Sequence, residues 1–187
     1  MTPKPTVQTP GASGSTDTRA EFSERDIAAH LAILNLEGEY ARTWDSVDPE
    51  GWAALFCPEG IFEMLPVGNT PGAFYQGRDA LAEFCRVINS SYRGLHLIHV
   101  PSIRVEGDRA YAWIHFEFRS IRGSTLGSVA GIYQVDYRRG GEGWRIEHRI
   151  EQAVARSSDD FAEIPATLVS QGPSSSTSSP GGMSRPR

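Results

Sequence analysis

An α+β fold is predicted by three features of this chain. Helical periodicity dominates residues 24 to 90, four strand-like segments fill most of the second half, and short glycine-containing turns join those segments. Helices gathered ahead of one antiparallel meander give a single sheet with a helical layer on one face.

The first helix has a clear start. Ser23 followed by Asp26 resembles a capping box, with Asp in place of the usual Glu or Gln, and the helix then runs from about residue 24 to 45. At ~100° per residue, Ile27, Leu31, Leu34, Gly38, Ala41 and Asp45 fall near one line, so a carboxylate closes an apolar stripe. Ile33, Tyr40 and Trp44 make a second line, and a helix buried from two sides is expected. Asp48 and Pro49 supply the N-cap and first residue of a short helix, EGWAALF, ended by CPEG. A strand near Ile61 to Leu65, the loop PVGNTPG, a short strand AFYQG and a helix from about Arg78 to Ser90 follow.

The meander comprises LHLIHVPSIRV, RAYAWIHFEFRSI, GSVAGIYQVDY and WRIEHRIEQAV, with turns at EGD, RGST and RRGGEG. In the second of these strands Ala110, Ala112, Ile114, Phe116 and Phe118 share one face, and Tyr111, Trp113, His115, Glu117 and Arg119 share the other. Aromatic residues on the face away from the helices predict a homodimer through Tyr111, Trp113 and His115, which makes His115 an interface residue rather than a catalyst.

With 187 residues, one domain over 21–155 is expected, flanked by disordered tails at 1–20 and 156–187 whose Pro, Ser, Thr and Gly bias leaves little apolar area to bury. A formal charge of -5 without a basic run argues against nucleic acid. Cys57 and Cys85 are too few for a disulfide framework and read as reduced thiols. The N-terminal stretch lacks the apolar core of a signal peptide, and no run approaches the ~20 apolar residues of a membrane span, so a cytoplasmic protein is expected.

In order and spacing, Tyr40…Asp45-x-x-Asp48, ALFCPEGIFE, YQGRDALAEF, HLIHVPSIRVEGDRAYA and GWRIEHR resemble the SnoaL-like branch of the nuclear transport factor 2-like superfamily over residues 22 to 155. The resemblance implies a curved sheet wrapped around the long first helix, forming a cone whose open end holds a small apolar ligand. Its enzymes include scytalone dehydratase, lindane dehydrochlorinase, ketosteroid isomerase and polyketide cyclases. It places the dehydratase-type Asp and His on Asp45 and His96, an Arg of the dehydrochlorinase on Arg149, and a catalytic Tyr of the isomerase on Tyr40. The isomerase's acids have no counterparts, since Met64 or Leu65 and Tyr133 stand at their places.

Within that frame, neutral His96 would remove a proton next to a carbonyl while Asp45 fixes its tautomer, and Arg149 or Tyr40 would stabilise the oxyanion. The enolate would then lose water, shift a double bond or close a ring. No metal, nucleotide or flavin is required. Trap points are visible in the residues themselves. Asp45 alternatively caps the turn through SVD. His96 and His99 have opposite strand parity, and Pro101 allows a bulge that decides between them. His148 shares parity with Ile146 and Ile150 and competes with Arg149 for the pocket side, while Tyr40 lies ~140° around the helix from Asp45. Tyr40, Trp44, His99, His148 and Arg149 are thus the candidate substrate-binding residues around Asp45 and His96.

The leading expectation is an acid-base lyase, isomerase or cyclase acting on a small hydrophobic carbonyl or polyketide-type metabolite. The rival is a non-catalytic ligand-binding or subunit-assembly protein with the same cone. An epoxide hydrolase ranks third, because Glu117 and Asp136 lack an Asp-Arg-Asp spacing.

Overall fold

Ser23 opens α1 (Glu24–Asp45) through a reciprocal capping box with Asp26, and Asp48 opens α2 (Pro49–Ala54) by accepting a hydrogen bond from the Gly51 amide at 2.9 Å. The computed structural model describes residues 23–123 and 125–156, so the tails expected at 1–20 and 156–187 lie outside the described residues except for Arg156, which ends the last strand. After α2 come β1 (Phe56–Met64), β2 (Ala73–Gln76), α3 (Arg78–Ser91), β3 (Arg93–Ile98), β4 (Ser102–Glu106), β5 (Arg109–Arg122), β6 (Thr125–Gly140) and β7 (Gly143–Arg156).

The strands form one seven-stranded curved sheet in the order β2-β1-β7-β6-β5-β3, with β4 also paired to β5. β5, β6 and β7 pair antiparallel as the meander predicts, whereas β1 runs parallel to β7 and carries the chain away from the meander toward β2. This is the α+β architecture expected from the sequence. Two boundaries differ. CPEG does not simply end α2 but lies inside β1, where the register against β7 shifts between Phe56 and Ile61. The segment LHLIHVPSIRV is split at 99–101 into β3 and β4, because Pro101 has no N–H to continue a ladder.

The face that α1 buries also differs from expectation. Ala29, Ile33, Leu36, Glu37, Tyr40, Thr43 and Trp44 face the core, while Ile27, Leu31 and Leu34 are 51%, 62% and 41% exposed. The sheet receives the line with the larger rings, and their packing explains the choice. Tyr40 and Trp44 meet Trp52 at centroid separations of 5.5 and 4.9 Å, and Trp52 meets Phe56 at 5.0 Å, a cluster that joins both helices to β1. Among the described residues, no helix is long and apolar enough to cross a membrane.

Candidate active site

The end of α1 is built to expose a carboxylate. The Asp48 amide donates to the Thr43 carbonyl at 2.9 Å and the Val47 amide to the Trp44 carbonyl at 3.0 Å, the paired bonds of a Schellman termination. Val47 occupies the left-handed position usually given to glycine, with φ 59°. Helix termination is therefore handled by backbone groups. The Asp45 side chain is left to reach β3.

There it accepts two kinds of hydrogen bond from one residue. The His96 backbone N–H donates to Asp45 Oδ2 at 3.0 Å, and His96 Nδ1 lies 2.8 Å from Asp45 Oδ1. The backbone bond fixes the carboxylate relative to the strand, and the ring bond orients the imidazole. The His96 side chain is 5% exposed and that of Asp45 16%. Burial holds His96 below the ordinary imidazole range, against the opposing pull of Asp45's negative charge. The imidazole thus stays neutral near pH 7, with Nε2 as its basic atom.

His96 opens onto a pocket with about 590 Å³ of empty space, its mouth included. Tyr40, Trp44, Phe62, Phe84, Phe116, Phe118 and Tyr133 supply most of its aromatic wall, and Glu151 supplies a carboxylate. Gly94 and Gly131 make room for that wall. A Cβ on Gly94 would stand 2.6 Å from the Phe118 ring, and one on Gly131 2.9 Å from the Phe116 ring. Phe116 then stacks on Tyr133 at 4.0 Å. Tyr40 and Trp44, one helical turn apart, approach the His96 ring edge-on at 5.8 and 5.9 Å. Tyr40 and Asp45 both reach His96 despite their angular separation on α1: Asp45 bonds its backbone N–H and Nδ1, while the Tyr40 ring meets the imidazole edge-on.

Arg149 faces inward, yet it stands behind the pocket wall rather than lining it. Its Nη2 donates to both oxygens of Glu37, whose Oε1 also accepts from the Tyr137 hydroxyl at 2.7 Å. The guanidinium lies 3.6 Å from the Tyr40 ring centroid and 4.5 Å from that of Tyr133. Arg149 Nε and Nη1 have no hydrogen-bond partner, so the two π faces take the place of acceptors. Burial lifts the Tyr40, Tyr133 and Tyr137 phenols above their ordinary range, and the Arg149 charge opposes that rise. Tyr40 and Tyr133, which line the pocket, thus cover the Arg149 guanidinium, which does not.

Two other candidates lie outside the pocket. His148 is on the opposite face, with Nε2 3.0 Å from Glu63 Oε2, because β7 carries an extra residue between its pairings with Tyr137 and Asp136. Ile146 and Arg149, rather than Ile146 and His148, therefore share the inner face. His99 is exposed at the break after β3, where its amide donates to the His115 carbonyl. The outer face of β5 bears Tyr111, Trp113 and His115, with Trp113 38% exposed opposite Ser102 of β4, and the exposed Leu95 and Leu97 of β3 lie further along β5, opposite Arg119 and Glu117. The same extra residue explains why sequence parity missed Glu151, which follows Arg149 onto the inner face. Among the described residues no group of three or more His, Cys, Asp or Glu is placed to hold a metal ion.

The profile of the SnoaL-like domain matches residues 25–150, from the second residue of α1 to within six residues of the last described strand end. The chain belongs to the SnoaL-like domain family. Among solved structures, this SnoaL-like protein is similar to a Mycobacterium tuberculosis protein of unknown function, at 26% identity and TM-score 0.64 over 85% of this chain and 89% of that one. It shares the fold of a putative scytalone dehydratase from Novosphingobium aromaticivorans, at 20% identity and TM-score 0.61 over 71% and 88% of the two chains. It also shares that of the beta subunit of a putative aromatic-ring-hydroxylating dioxygenase from the same organism, at 21% identity and TM-score 0.63 over 78% and 98%. No protein of curated function matches the chain.

Proposed function

We propose that this SnoaL-like protein is a cofactor-independent acid-base enzyme of the lyase, isomerase or cyclase type, acting in the cytoplasm on a small hydrophobic carbonyl compound. The observation that carries the reading is the 2.8 Å bond between His96 Nδ1 and Asp45 at the wall of an apolar pocket. Nδ1 donates to the carboxylate, which leaves the lone pair on Nε2 for a proton α to a carbonyl. The carbon–hydrogen bond breaks, its electron pair forms the enolate, and the imidazolium is stabilised by Asp45. Tyr40, whose ring meets that of His96 edge-on at 5.8 Å, stabilises the developing oxyanion, with the Arg149 charge behind its ring. The enolate then expels a β-hydroxyl, which leaves as water with the proton returned by the His96 imidazolium, or is reprotonated at another carbon by that imidazolium, or attacks a second carbonyl, whose alkoxide takes the same proton. Likeness to the putative scytalone dehydratase supports elimination of water.

The test is turnover of a panel of β-hydroxycarbonyl and polyketide-like compounds by wild type and His96→Ala. Activity present in the first and lost in the second is expected. Equal turnover removes His96 as the base.

A second reading is supported by likeness to a dioxygenase beta subunit and by the apolar outer sheet face, which suits an assembly protein as well as a homodimer. In the homodimer reading a second copy covers Tyr111, Trp113 and His115. Sedimentation of Trp113→Arg is expected to show monomers where the wild type shows dimers. A wild type that sediments as a monomer removes the homodimer.

A further inference from the structure

Next to the turn that joins β6 to β7, Arg138 stands directly opposite Arg145. Like charges in register across an antiparallel pair repel, because their side chains leave the sheet only about 5 Å apart. Both arginines nonetheless line one cleft, near the opposite end of β6 from Val129 and the aromatic pocket. No residue is common to the two cavities, and this second one holds about 720 Å³ of empty space, its mouth included. An anion seated between the two guanidinium groups would turn their repulsion into attraction.

The protein's own carboxylates are shared too thinly to fill that role. Glu142, the acid that lines the cleft, accepts from Arg78 Nη2 at 3.0 Å, and Arg145 Nε lies 3.8 Å from the same oxygen. Glu147, the extra residue of β7, accepts from Arg109 at 3.3 Å, and Arg138 Nε lies 3.4 Å from its other oxygen. Two carboxylates thus serve four guanidinium groups. Glu59 follows Pro58 on β1 but does not line the cleft. Arg145 is also fixed in direction, since its Nη1 donates to the Trp144 carbonyl at 2.9 Å.

The remaining lining suits an ester better than a bare ion. Pro58 and the buried Cys57 offer an apolar wall, and a Cβ on Gly140 or Gly141 would meet no atom within 4 Å, so the space over the turn is open. A planar guanidinium donates two parallel N–H groups to two oxygens, and a tetrahedral dianion has oxygens enough for both arginines. We propose that the cleft between Arg138 and Arg145 is a second ligand site, which takes the dianionic phosphate of a monoester and rests its organic part on Pro58 and Cys57. The site is independent of His96 and stands or falls without any reaction in the aromatic pocket.

The test is calorimetric titration of the full chain with phenyl phosphate at a pH of about 8, where the probe is a dianion. Saturable binding is expected, weakened about tenfold in Arg138→Gln and in Arg145→Gln. Glu142→Gln removes the competing carboxylate and is expected to bind the probe more tightly than wild type. Arg104→Gln lowers the net charge equally at an arginine outside the cleft, paired with Glu106, and is expected to match wild type. Inorganic phosphate is expected to bind more weakly than phenyl phosphate, and equal affinity removes the ester from the assignment. An equal loss in Arg104→Gln, an unchanged affinity in both cleft variants, or no saturable binding by the folded wild type overturns the proposal.

Discussion

Replacing Arg149 with leucine is expected to destabilise the fold by about 3–5 kcal/mol, because it strands the Glu37 carboxylate in the core with the Tyr137 hydroxyl alone. Glu37 is 2% exposed and Arg149 0%, so water cannot replace the lost partner. Each side chain would be costly to bury by itself. Together they are tolerated because Nη2 meets both carboxylate oxygens and the rest of the guanidinium rests on two aromatic rings. The double variant Glu37→Leu, Arg149→Leu removes both charges and is expected to recover much of the loss. Arg149→Lys is expected to remain well below wild type, since an ammonium cannot reproduce the planar group that lies against Tyr40. Denaturant midpoints at constant slope measure all of these. A loss below about 1 kcal/mol in Arg149→Leu contradicts the assignment of Arg149 as an obligatory partner of Glu37.

The elements with local signals were legible before the structure. Ser23 and Asp26 mark one helix start, Asp48 and Pro49 another, and glycine-containing turns separate the last strands. Long-range choices were not. Both apolar lines of α1 have helical spacing, and only the partner rings from Trp52 and Tyr133 decide that Tyr40 and Trp44 go inward while Leu31 stays outside. In β7 a single extra residue inverts the parity that grouped His148 with core-facing Ile146 and Ile150 and Arg149 with Arg145 and Glu147. Glu37 carried no warning, because a lone Glu on a helix is ordinarily a solvated charge. Its burial becomes intelligible only once Arg149 and Tyr137 arrive from strands more than 90 residues away, at separations of 112 and 100 residues. The closeness of Asp45 and His96, 51 residues apart, was reached through family resemblance and not through periodicity.

Asp45→Asn is expected to lower kcat/KM by about 10²–10⁴-fold with little change in fold, for a reason that lies in the position of one proton. The carboxylate accepts from Nδ1–H, which keeps the Nε2 lone pair free for the substrate. An asparagine can still accept from the His96 backbone N–H through its carbonyl oxygen. Its amide then faces Nδ1 as a donor, and the imidazole proton moves to Nε2, where a base is needed. The pH profile separates this effect from simple misplacement. In wild type, burial keeps the imidazole below its ordinary value of about 6.5, so activity is expected to rise with pH along an acid limb whose midpoint lies under that value. Asp45 and Glu37 pull that midpoint up and Arg149 pulls it down. Removing the Asp45 charge should therefore move the limb to lower pH while the plateau falls. The stability consequence has the same sign: because the folded-state value is depressed, the stability tied to neutral His96 is complete above about 6.5 and is lost as pH falls through the lower value. A limb that moves to higher pH in Asp45→Asn, or a plateau equal to that of wild type, would show that Asp45 does not govern the charge state and tautomer of His96.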